Sequence, residues 1–356
     1  MPFPTTPDTT GRRGFLALAG GAVLGLGTTG CVAPSSAAAR PAPTGALPTA
    51  APARGTRLSI AIHPTQLQLA ASGLDRKLGF TVSQWPNLNA GPDIIQGFRA
   101  RSIDLASNAG IPPIQAAAIG VRARIVAVQV RNIPVYVFAT AAGSAIRSAE
   151  DFRGRKIAFS QGQAQGVVVL RALKEAGLSY DDAELVPLPS TQFLTALQSG
   201  QVDVAPLSEP TLTKYLDQYS KDGARAVKTD VVDLLTVLWA PEEVLDDPAR
   251  LAAIRQFVPL WAQGQVWAWQ HAGTWIDRYY VRDQGVTRAD GARIVDSLAR
   301  PSFPQSWDRA LAWEQQTADL MAAGGFVRKL DVTPLFDRRF EGLAARAVPA
   351  AYREAR

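Results

Sequence analysis

The stretch 154–177 constrains the fold more than any other part of the chain, because a strand, a polar turn and a helix follow one another there. Residues 156–160 favour a short buried strand. Residues 161–166 form a turn of small and amide residues, and from Val167 apolar residues recur at helical spacing until Gly177. Such a turn leaves the first N–H groups of the helix facing outward, so it is a candidate site for an anionic or polar group.

Alternation of strands and helices predicts an α/β fold on both sides of this stretch. Apolar runs that favour strands lie at 58–62, 80–85, 103–106, 124–130, 185–188 and 202–205. Helical patterns separate them, which favours mainly parallel sheets with ligands at the carboxyl ends of the strands. The segments 93–106 and 193–205 share a helix, a turn and a hydrophobic-Asp-hydrophobic strand. This repeated pattern predicts two lobes that face each other across a cleft.

Length and charge favour two globular domains and argue against nucleic acid as a partner. The chain has 356 residues, of which 47% are hydrophobic, enough for a large core. Its 37 basic residues exceed the 31 acidic residues only modestly, and they are scattered along the chain. The sequence has no basic stripe interleaved with aromatic residues, so we expect no nucleic-acid binding.

The first 31 residues are typical of an export signal. Arg12 and Arg13 precede a short, glycine-rich apolar run at 17–26, as in twin-arginine export signals. The run leads to Cys31, the only cysteine, in a small-small-Cys sequence that resembles a bacterial lipobox, although Thr28 stands where Leu is usual. We therefore expect lipidation at Cys31 to be the only membrane anchor. The alternative is a plain signal peptide with an incidental cysteine.

The segment 32–55 is rich in Ala, Pro and Ser, and it is predicted to be a disordered tether. Because Cys31 is assigned to lipid, neither a disulfide nor a thiol nucleophile is expected. The two histidines, His63 and His271, are far apart, and no Asp/Glu cluster has metal-ligand spacing. We therefore expect no metal and no cofactor, and we interpret His271 as structural.

Several ordered segments resemble the solute-binding proteins of bacterial ABC importers, most closely the nitrate, sulfonate and taurine type. The segment 91–120, from Gly-Pro-Asp-Ile-Ile to Ala-Ala-Ile-Gly, resembles a run of that family. Further resemblance lies in 151–162, 170–178 and 199–204, and in the region of the last helix at 315–319 and 324–326. The likeness covers about residues 57–340 in order.

This resemblance implies a type II periplasmic-binding-protein fold, with two lobes that each hold a mainly parallel sheet flanked by helices. The implied segments are lobe 1 at 56–138, lobe 2 at 139–228, the second part of lobe 1 at 229–340 and a C-terminal tail at 341–356. It further implies a monomer that closes on a small molecule and docks on an ABC permease. With the export signal, it places the protein on the outer face of the cytoplasmic membrane.

The turns that face the predicted cleft carry neutral donors and no Lys or Arg. Their candidate ligand-binding residues are His63, Thr65, Ser107, Asn108, Ala109, Gln161, Gln163, Gln165 and Glu209. Helix-start N–H groups and uncharged side chains suit a weakly hydrated anion such as a sulfonate, and they allow rapid release. His63 either donates to the ligand or caps the turn that follows it.

Glu209 is the one acidic residue among these candidates. The family often has a Trp-Asp-Pro sequence where this chain has Ser208-Glu209-Pro210. A carboxylate in the cleft favours a zwitterionic ligand that carries an amine. The alternative is an exposed acid at a helix start, stabilised by the helix dipole.

The tryptophans are interpreted mainly as packing residues. Trp85 and Trp239 are candidates for an apolar wall of the site, with packing in the core or at the cleft rim as the alternative. The region 248–281 is helical in pattern, and its tryptophans favour packing on a sheet over an aromatic ligand box. These tryptophans are Trp261, Trp267, Trp269 and Trp275.

Two other function classes compete with solute binding. An exported enzyme on the same scaffold, with desulfinase-like or thiamine-precursor-like chemistry, needs a reactive Cys or a His cluster that the predicted cleft does not offer. A membrane-surface adaptor needs an interaction face that the sequence does not indicate. We therefore expect a transport protein rather than an enzyme, with sulfonates, taurine and nitrate as candidate ligands.

Overall fold

The computed structural model describes residues 43–88 and 90–354. Within them, two five-stranded sheets are flanked by helices, which confirms the predicted α/β fold. The export signal with Cys31 and the first part of the predicted tether lie outside the described residues, so lipidation and export stay predictions.

The described residues alternate strands and helices along most of their length. The strands are β1 (Arg57–Ala61), β2 (Thr81–Gln84), β3 (Leu105–Ala109), β4 (Ala123–Val130), β5 (Val137–Thr140), β6 (Lys156–Phe159), β7 (Glu184–Pro187), β8 (Val204–Leu207), β9 (Ala226–Val227) and β10 (Leu235–Pro241). The α-helices are α1 (His63–Ser72), α2 (Gly91–Arg99), α3 (Ile111–Ala118), α4 (Ala164–Glu175), α5 (Phe193–Gln198), α6 (Thr211–Tyr219), α7 (Glu242–Leu245), α8 (Pro248–Gln270), α9 (Ala272–Trp275), α10 (Arg288–Asp296), α11 (Asp308–Ala323) and α12 (Leu343–Arg346). One π-helical turn, Ile276–Val281, follows α9.

The first sheet has the strand order β2-β1-β3-β10-β4, and only β10 runs against the other strands. The residues Ser107, Asn108 and Ala109 lie inside β3, where they pair with Leu238, Val237 and Thr236 of β10. The interpretation of 107–110 as a polar turn was therefore wrong for its first three residues. A strand from far along the chain continues the ladder, and no local pattern announces that pairing.

The second sheet has the order β7-β6-β8-β5-β9, and here β5 is the strand that runs against the others. The two sheets therefore share one plan, in which a single antiparallel strand lies next to the end of the sheet. The chain passes from the first sheet to the second through 131–136, and returns through 228–234. The sheets are joined at these two crossings, and a site between them lies beside both.

The region 248–281 departs from a continuous helix. The helix α8 begins at the Asp247 cap, whose Oδ1 accepts from the N–H groups of Ala249 and Arg250, and it ends at Gln270. His271 adopts φ −116° and ψ 43°, which breaks the helical path before α9 and the π-helical turn. Two of the tryptophans thus come after or near a break, where their direction cannot be deduced from a single helical period.

The C-terminal residues, including part of the predicted tail at 341–356, belong to the core. Phe336 and Phe340 are fully buried, and Ala345 of α12 packs in the same hydrophobic cluster. Phe303 pairs with Arg353, and the backbone N–H of Phe303 donates to the Tyr352 carbonyl oxygen at 2.8 Å. The segment therefore stabilises the first sheet, whose strand β4 also forms a bridge to Phe336.

Within 43–88 and 90–354, no helix is both long enough and apolar enough to cross a bilayer.

Candidate functional site

A cavity of about 540 Å³ lies between the two sheets. Its volume falls in the range of small-molecule sites, which is roughly 300–1,000 Å³. Residues from the carboxyl ends of β1 and β3, the start of α4, both crossings and a later helical segment line it. Several elements that are distant in sequence therefore converge on one cavity.

The strand-end lining consists of residues at or just after the ends of β1, β3 and β6. It includes several predicted candidates, which are Thr65, Ser107, Asn108, Ala109, Gln163 and Gln165. Thr65 is completely buried, and its hydroxyl has no hydrogen-bond partner among the described residues. Both amide atoms of Asn108 are buried as well, and they also lack a partner in that part of the chain. A buried polar atom without a partner costs free energy, so these atoms point to a bound polar group.

The turn before α4 is held in place by the side-chain amide of Gln163. The Gln163 Oε1 accepts from the Ser160 hydroxyl at 2.7 Å and from the Ser190 N–H at 3.0 Å. Gly166 packs against the Ser160 carbonyl oxygen so closely that a Cβ on Gly166 would collide with it. The first turn of α4 is thereby fixed with its backbone at the cavity, where its free N–H groups favour a negative charge.

One cation and one anion also line the cavity, and the sequence interpretation missed both. Arg131 follows β4 and Asp233 lies in the second crossing, and the Arg131 Nη2 donates to the Asp233 Oδ2 at 2.7 Å. The predicted turns carry no basic residue, but a crossing brings one to the cavity. The pair was invisible in sequence because the two residues come from different crossings.

Burial raises the pKa of a carboxyl group and of a phenol group beside the cavity. It raises the pKa of Asp233 even though Arg131 and Arg171 act in the opposite direction. Burial, together with the charge of Asp233, raises the pKa of Tyr136 to about 12, so this lining hydroxyl stays protonated at neutral pH. The side chains of Tyr136 and Arg131 are therefore donors here, and the charge of Arg131 is largely balanced by Asp233.

The helical lining is the apolar part of the cavity wall and lies within 268–301. Its members are Ala268, Trp269, Trp275, Tyr279, Tyr280, Val295, Leu298, Ala299 and Pro301. Trp275 and Tyr279 are stacked, with ring centroids 4.7 Å apart and planes at 14°. Burial raises the pKa of Tyr280 to about 12. Helical spacing favours packing for Trp269 and Trp275, whereas the structure places both at the cavity.

Three predicted candidates use their polar groups elsewhere. The His63 Nε2 lies 2.9 Å from both Asp283 carboxylate oxygens, and the Gln161 Nε2 donates to the Phe326 carbonyl oxygen at 3.1 Å. The Glu209 Oε1 accepts from the Thr213 hydroxyl at 2.9 Å at the start of α6. None of the three lines the cavity among the described residues. For Glu209 the structure matches the alternative of a helix-start acid, and a role of its carboxylate as a ligand for an amine stays a prediction.

Both aromatic wall candidates also pack away from the cavity. Trp239 is fully buried in the first sheet, with its ring centroid 4.6 Å from that of Phe98. Trp85 packs against Phe257 of α8 at 6.2 Å. Trp239 belongs to a strand with buried residues on both faces, because helices cover both sides of the sheet. Its assignment to the ligand wall is therefore corrected to core packing.

One set of contacts joins the second sheet's helix α4 to the C-terminal helix α11. The Arg171 guanidinium lies 3.7 Å from the ring centroid of Trp313, and its Nη2 donates to the Thr317 hydroxyl at 2.7 Å. Glu314 of α11 is buried and packs against Gly110 at the start of α3. Burial raises the pKa of Glu314 well above its usual range. Arg171, Thr317 and Glu314 therefore form a buried polar cluster, called the seam, behind the strand-end lining.

A second contact, between α6 and α10, links the two sides of the cavity near the protein surface. The Lys214 Nζ of α6 is 2.8 Å from the Asp290 Oδ2 of α10, and Arg293 also pairs with Asp290. Lys214 is mostly exposed while the Asp290 carboxylate is buried, so solvent screens this pair from the lysine side only. The two sides of the cavity are thus linked by contacts of very different burial.

No group of three or more His, Cys, Asp or Glu side chains in 43–88 and 90–354 is arranged to hold an ion. The polar lining instead combines amides, hydroxyls and backbone N–H groups, a donor set suited to a small anion.

Comparisons with known proteins agree with this two-lobed architecture. A family model described as NMT1/THI5 like matches residues 91–230. A protein of Escherichia coli (strain K12), named as an aliphatic sulfonates-binding protein, is 32% identical over 161 residues, which is 45% of this chain. That match spans 49% of the E. coli protein, about half its length.

Solved structures extend the likeness to most of the chain. The periplasmic aliphatic sulphonate binding protein SsuA from E. coli has a TM-score of 0.69, with 24% identity over 81% of this chain and 99% of that chain. The alkanesulfonate-binding protein SsuA from Xanthomonas axonopodis pv. citri, bound to MOPS, has a TM-score of 0.68, with 21% identity over 81% and 99%. The desulfurization enzyme DszB shares the fold at a TM-score of 0.54 and 15% identity, covering 82% and 98%. These structures share a fold that supports both binding and catalysis.

Proposed function

Because the chain is related to the sulfonate-binding proteins of bacterial ABC importers, we propose that it captures a small organic sulfonate between its lobes and delivers it unchanged to a membrane permease. The observation that carries the proposal is the strand-end lining, where Thr65 and Asn108 present buried polar atoms without partners in the described chain. A sulfonate offers three oxygens that accept hydrogen bonds and a charge that helix-start N–H groups stabilise.

The charge arrangement favours a monoanion over a divalent ion. Arg131 is the one cation at the cavity wall among the described residues, and Asp233 balances its charge. Holding an anion with neutral donors has a lower desolvation cost than burying a second ion pair. It also allows release when the lobes separate, which transport requires.

An enzyme of the desulfinase type is the second candidate, since DszB shares the fold. Its chemistry needs a nucleophile or a proton carrier at the ligand. In the described part of the chain, no cysteine or histidine lines the cavity, and the only cysteine of the sequence is Cys31. These observations favour binding without turnover.

Calorimetric titration with ethanesulfonate, taurine, MOPS, sulfate and nitrate tests the proposed function. We expect at least one organic sulfonate to bind, and saturation at 100 times its Kd to stabilise the folded protein by about 2.7 kcal/mol. Recovery of the ligand by NMR after overnight incubation should show no new compound. Binding of sulfate or nitrate alone would contradict the proposal, and release of sulfite would favour the enzyme.

The export and anchoring parts of the proposal rest on the N-terminal sequence. Arg12 and Arg13 direct twin-arginine export, and Cys31 carries the lipid that keeps the protein at the outer face of the cytoplasmic membrane. Fractionation of cells that express Cys31→Ala should move the protein from the membrane to the soluble extracytoplasmic fraction. Equal amounts of both proteins in the membrane fraction would contradict lipidation.

A further inference from the structure

The helical lining makes one wall of the cavity aromatic, a property that the names of the similar proteins do not mention. The helical lining contributes four aromatic side chains to the cavity, namely Trp269, Trp275, Tyr279 and Tyr280. No charged side chain from the described residues of 268–301 joins them at the cavity. An extended aromatic surface is therefore available to whatever part of a ligand lies beyond the anionic head.

The π-helical turn explains how so many rings reach one wall. It is closed by hydrogen bonds between residues five apart, as from the N–H of Arg282 to the Asp277 carbonyl oxygen and from that of Gln284 to Tyr279. Residues four and five apart therefore share a face, which brings Trp275, Tyr279 and Tyr280 to the same cavity. Turns of this kind are rare and are frequent at functional sites.

The rings are held in a defined arrangement. Trp275 is buried and stacks on Tyr279, while Tyr279 meets Tyr280 edge to face at 4.9 Å. The ring of His63 lies 6.5 Å from Tyr279, and the His63 Nε2 contacts Asp283 just after the turn. The surface is thus fixed to the start of α1, next to the strand-end lining.

We propose that this cavity selects sulfonates that carry an aromatic ring over those that carry an alkyl group. The inference rests on the proposed function, since it assumes an anionic head at Thr65 and Asn108. The cavity of about 540 Å³ is much larger than a two-carbon sulfonate needs. A flat ring that fills the remainder meets aromatic faces, whose offset or edge-on contacts add to simple burial of apolar surface.

Calorimetry tests this selection with three monoanionic sulfonates whose organic groups should fit the helical lining increasingly well. The probes are ethanesulfonate, cyclohexanesulfonate and benzenesulfonate, of which the last two are similar in size but differ in aromaticity. We expect benzenesulfonate to bind about 3–10-fold more tightly than cyclohexanesulfonate, since aromatic pairing exceeds area burial by that factor. Ethanesulfonate should bind at least about 10-fold more weakly than benzenesulfonate, because it leaves the helical lining uncovered.

Variants test whether the rings cause the selectivity. In Trp275→Leu the affinity ratio of benzenesulfonate to cyclohexanesulfonate should fall to about 1–2, and in Trp275→Phe it should stay above about 2. The matched control is Trp267→Leu on α8, because Trp267 stacks on His271 and is absent from the cavity wall. The control should keep the wild-type ratio. Because a ratio is measured on one folded sample, it separates ring contact from loss of stability.

The outcomes distinguish the inference from the proposed function. If cyclohexanesulfonate matches or exceeds benzenesulfonate, or if ethanesulfonate is the tightest ligand, the aromatic selection is refuted and sulfonate binding survives. If no sulfonate binds, both proposals fall. If Trp267→Leu changes the ratio as much as Trp275→Leu, the assignment to the helical lining is refuted.

Discussion

The strand-end lining and the helical lining recognise a ligand by opposite means. The first offers a few polar atoms in fixed positions, among them the Thr65 hydroxyl and the Asn108 amide, which have no other partner among the described residues. The second offers aromatic surface without charge. Directional hydrogen bonds reject a ligand that lacks the right acceptor, whereas apolar contact tolerates many shapes. Under the proposed function, the strand-end lining selects the head group, and the helical lining sets how tightly the remainder is bound.

The largest expected effect concerns the ion pair at the edge of the strand-end lining. Arg131→Met leaves the buried Asp233 carboxylate without its partner, and we expect a loss of about 3 kcal/mol in the free energy of unfolding. Urea denaturation at pH 7.5 measures it. The double variant Arg131→Met/Asp233→Leu should recover most of the loss, because it removes both charges. An equally unstable double variant would show that Arg131 acts by packing instead.

The next prediction separates head recognition from binding of the remainder. Asn108→Leu keeps a similar volume but removes the amide, so the affinity for every sulfonate should fall about 10–100-fold, as expected for a hydrogen bond to a charged group. Calorimetry with ethanesulfonate and benzenesulfonate should show similar factors for both. A loss of affinity confined to benzenesulfonate would contradict the assignment of head-group recognition to the strand-end lining.

The seam behind the strand-end lining should make stability depend on pH. Burial raises the pKa of Glu314, so the folded protein holds this proton to a higher pH than the unfolded chain does. Stability is therefore lost as pH rises above the unfolded value near 4.5 and through the folded pKa. Glu314→Gln should gain stability relative to wild type between pH 5 and 8, measured by urea denaturation. A constant difference across that range would contradict a raised pKa.

The smallest effect is expected at the exposed link between the halves. Lys214→Met removes the ion pair to Asp290, and because solvent screens Lys214 we expect less than about 1 kcal/mol of change in sulfonate affinity. High salt should reproduce the same small change in wild type. A loss as large as that of Asn108→Leu would mean that this pair, rather than the strand-end lining, controls binding.

The strand-end lining could be predicted from the sequence because the lining depends on local pattern. Strand, polar turn and helix are adjacent in the chain, so Gln163 and Gln165 could be placed at the end of β6, and Thr65 at the end of β1. The same logic misplaced Gln161 and Glu209, since position after a strand does not determine side-chain direction. Gln161 turns to Phe326, which comes from the last third of the chain.

The helical lining and the ion pair could not be reached in this way. Trp269 and Trp275 have the spacing of packing residues, and their role depends on the break at His271 and the π-helical turn. Arg131 and Asp233 lie in two crossings that only the tertiary fold brings together. A signal was present nonetheless, because the cluster Trp275, Tyr279 and Tyr280 is unusually aromatic for a segment that borders an exposed loop.

The Arg171 contact has a mechanical consequence for the cavity. Arg171 lies seven residues after Ala164, so at 1.5 Å per residue it holds α4 about 10 Å from the turn that lines the cavity. Its guanidinium packs on Trp313 in a buried place, whereas the Lys214–Asp290 pair joins an exposed ammonium to a carboxylate that is only 4% exposed. Separating α4 from α11 therefore exposes a buried cation and an aromatic face, whereas separating α6 from α10 breaks an ion pair that water already reaches from the Lys214 side.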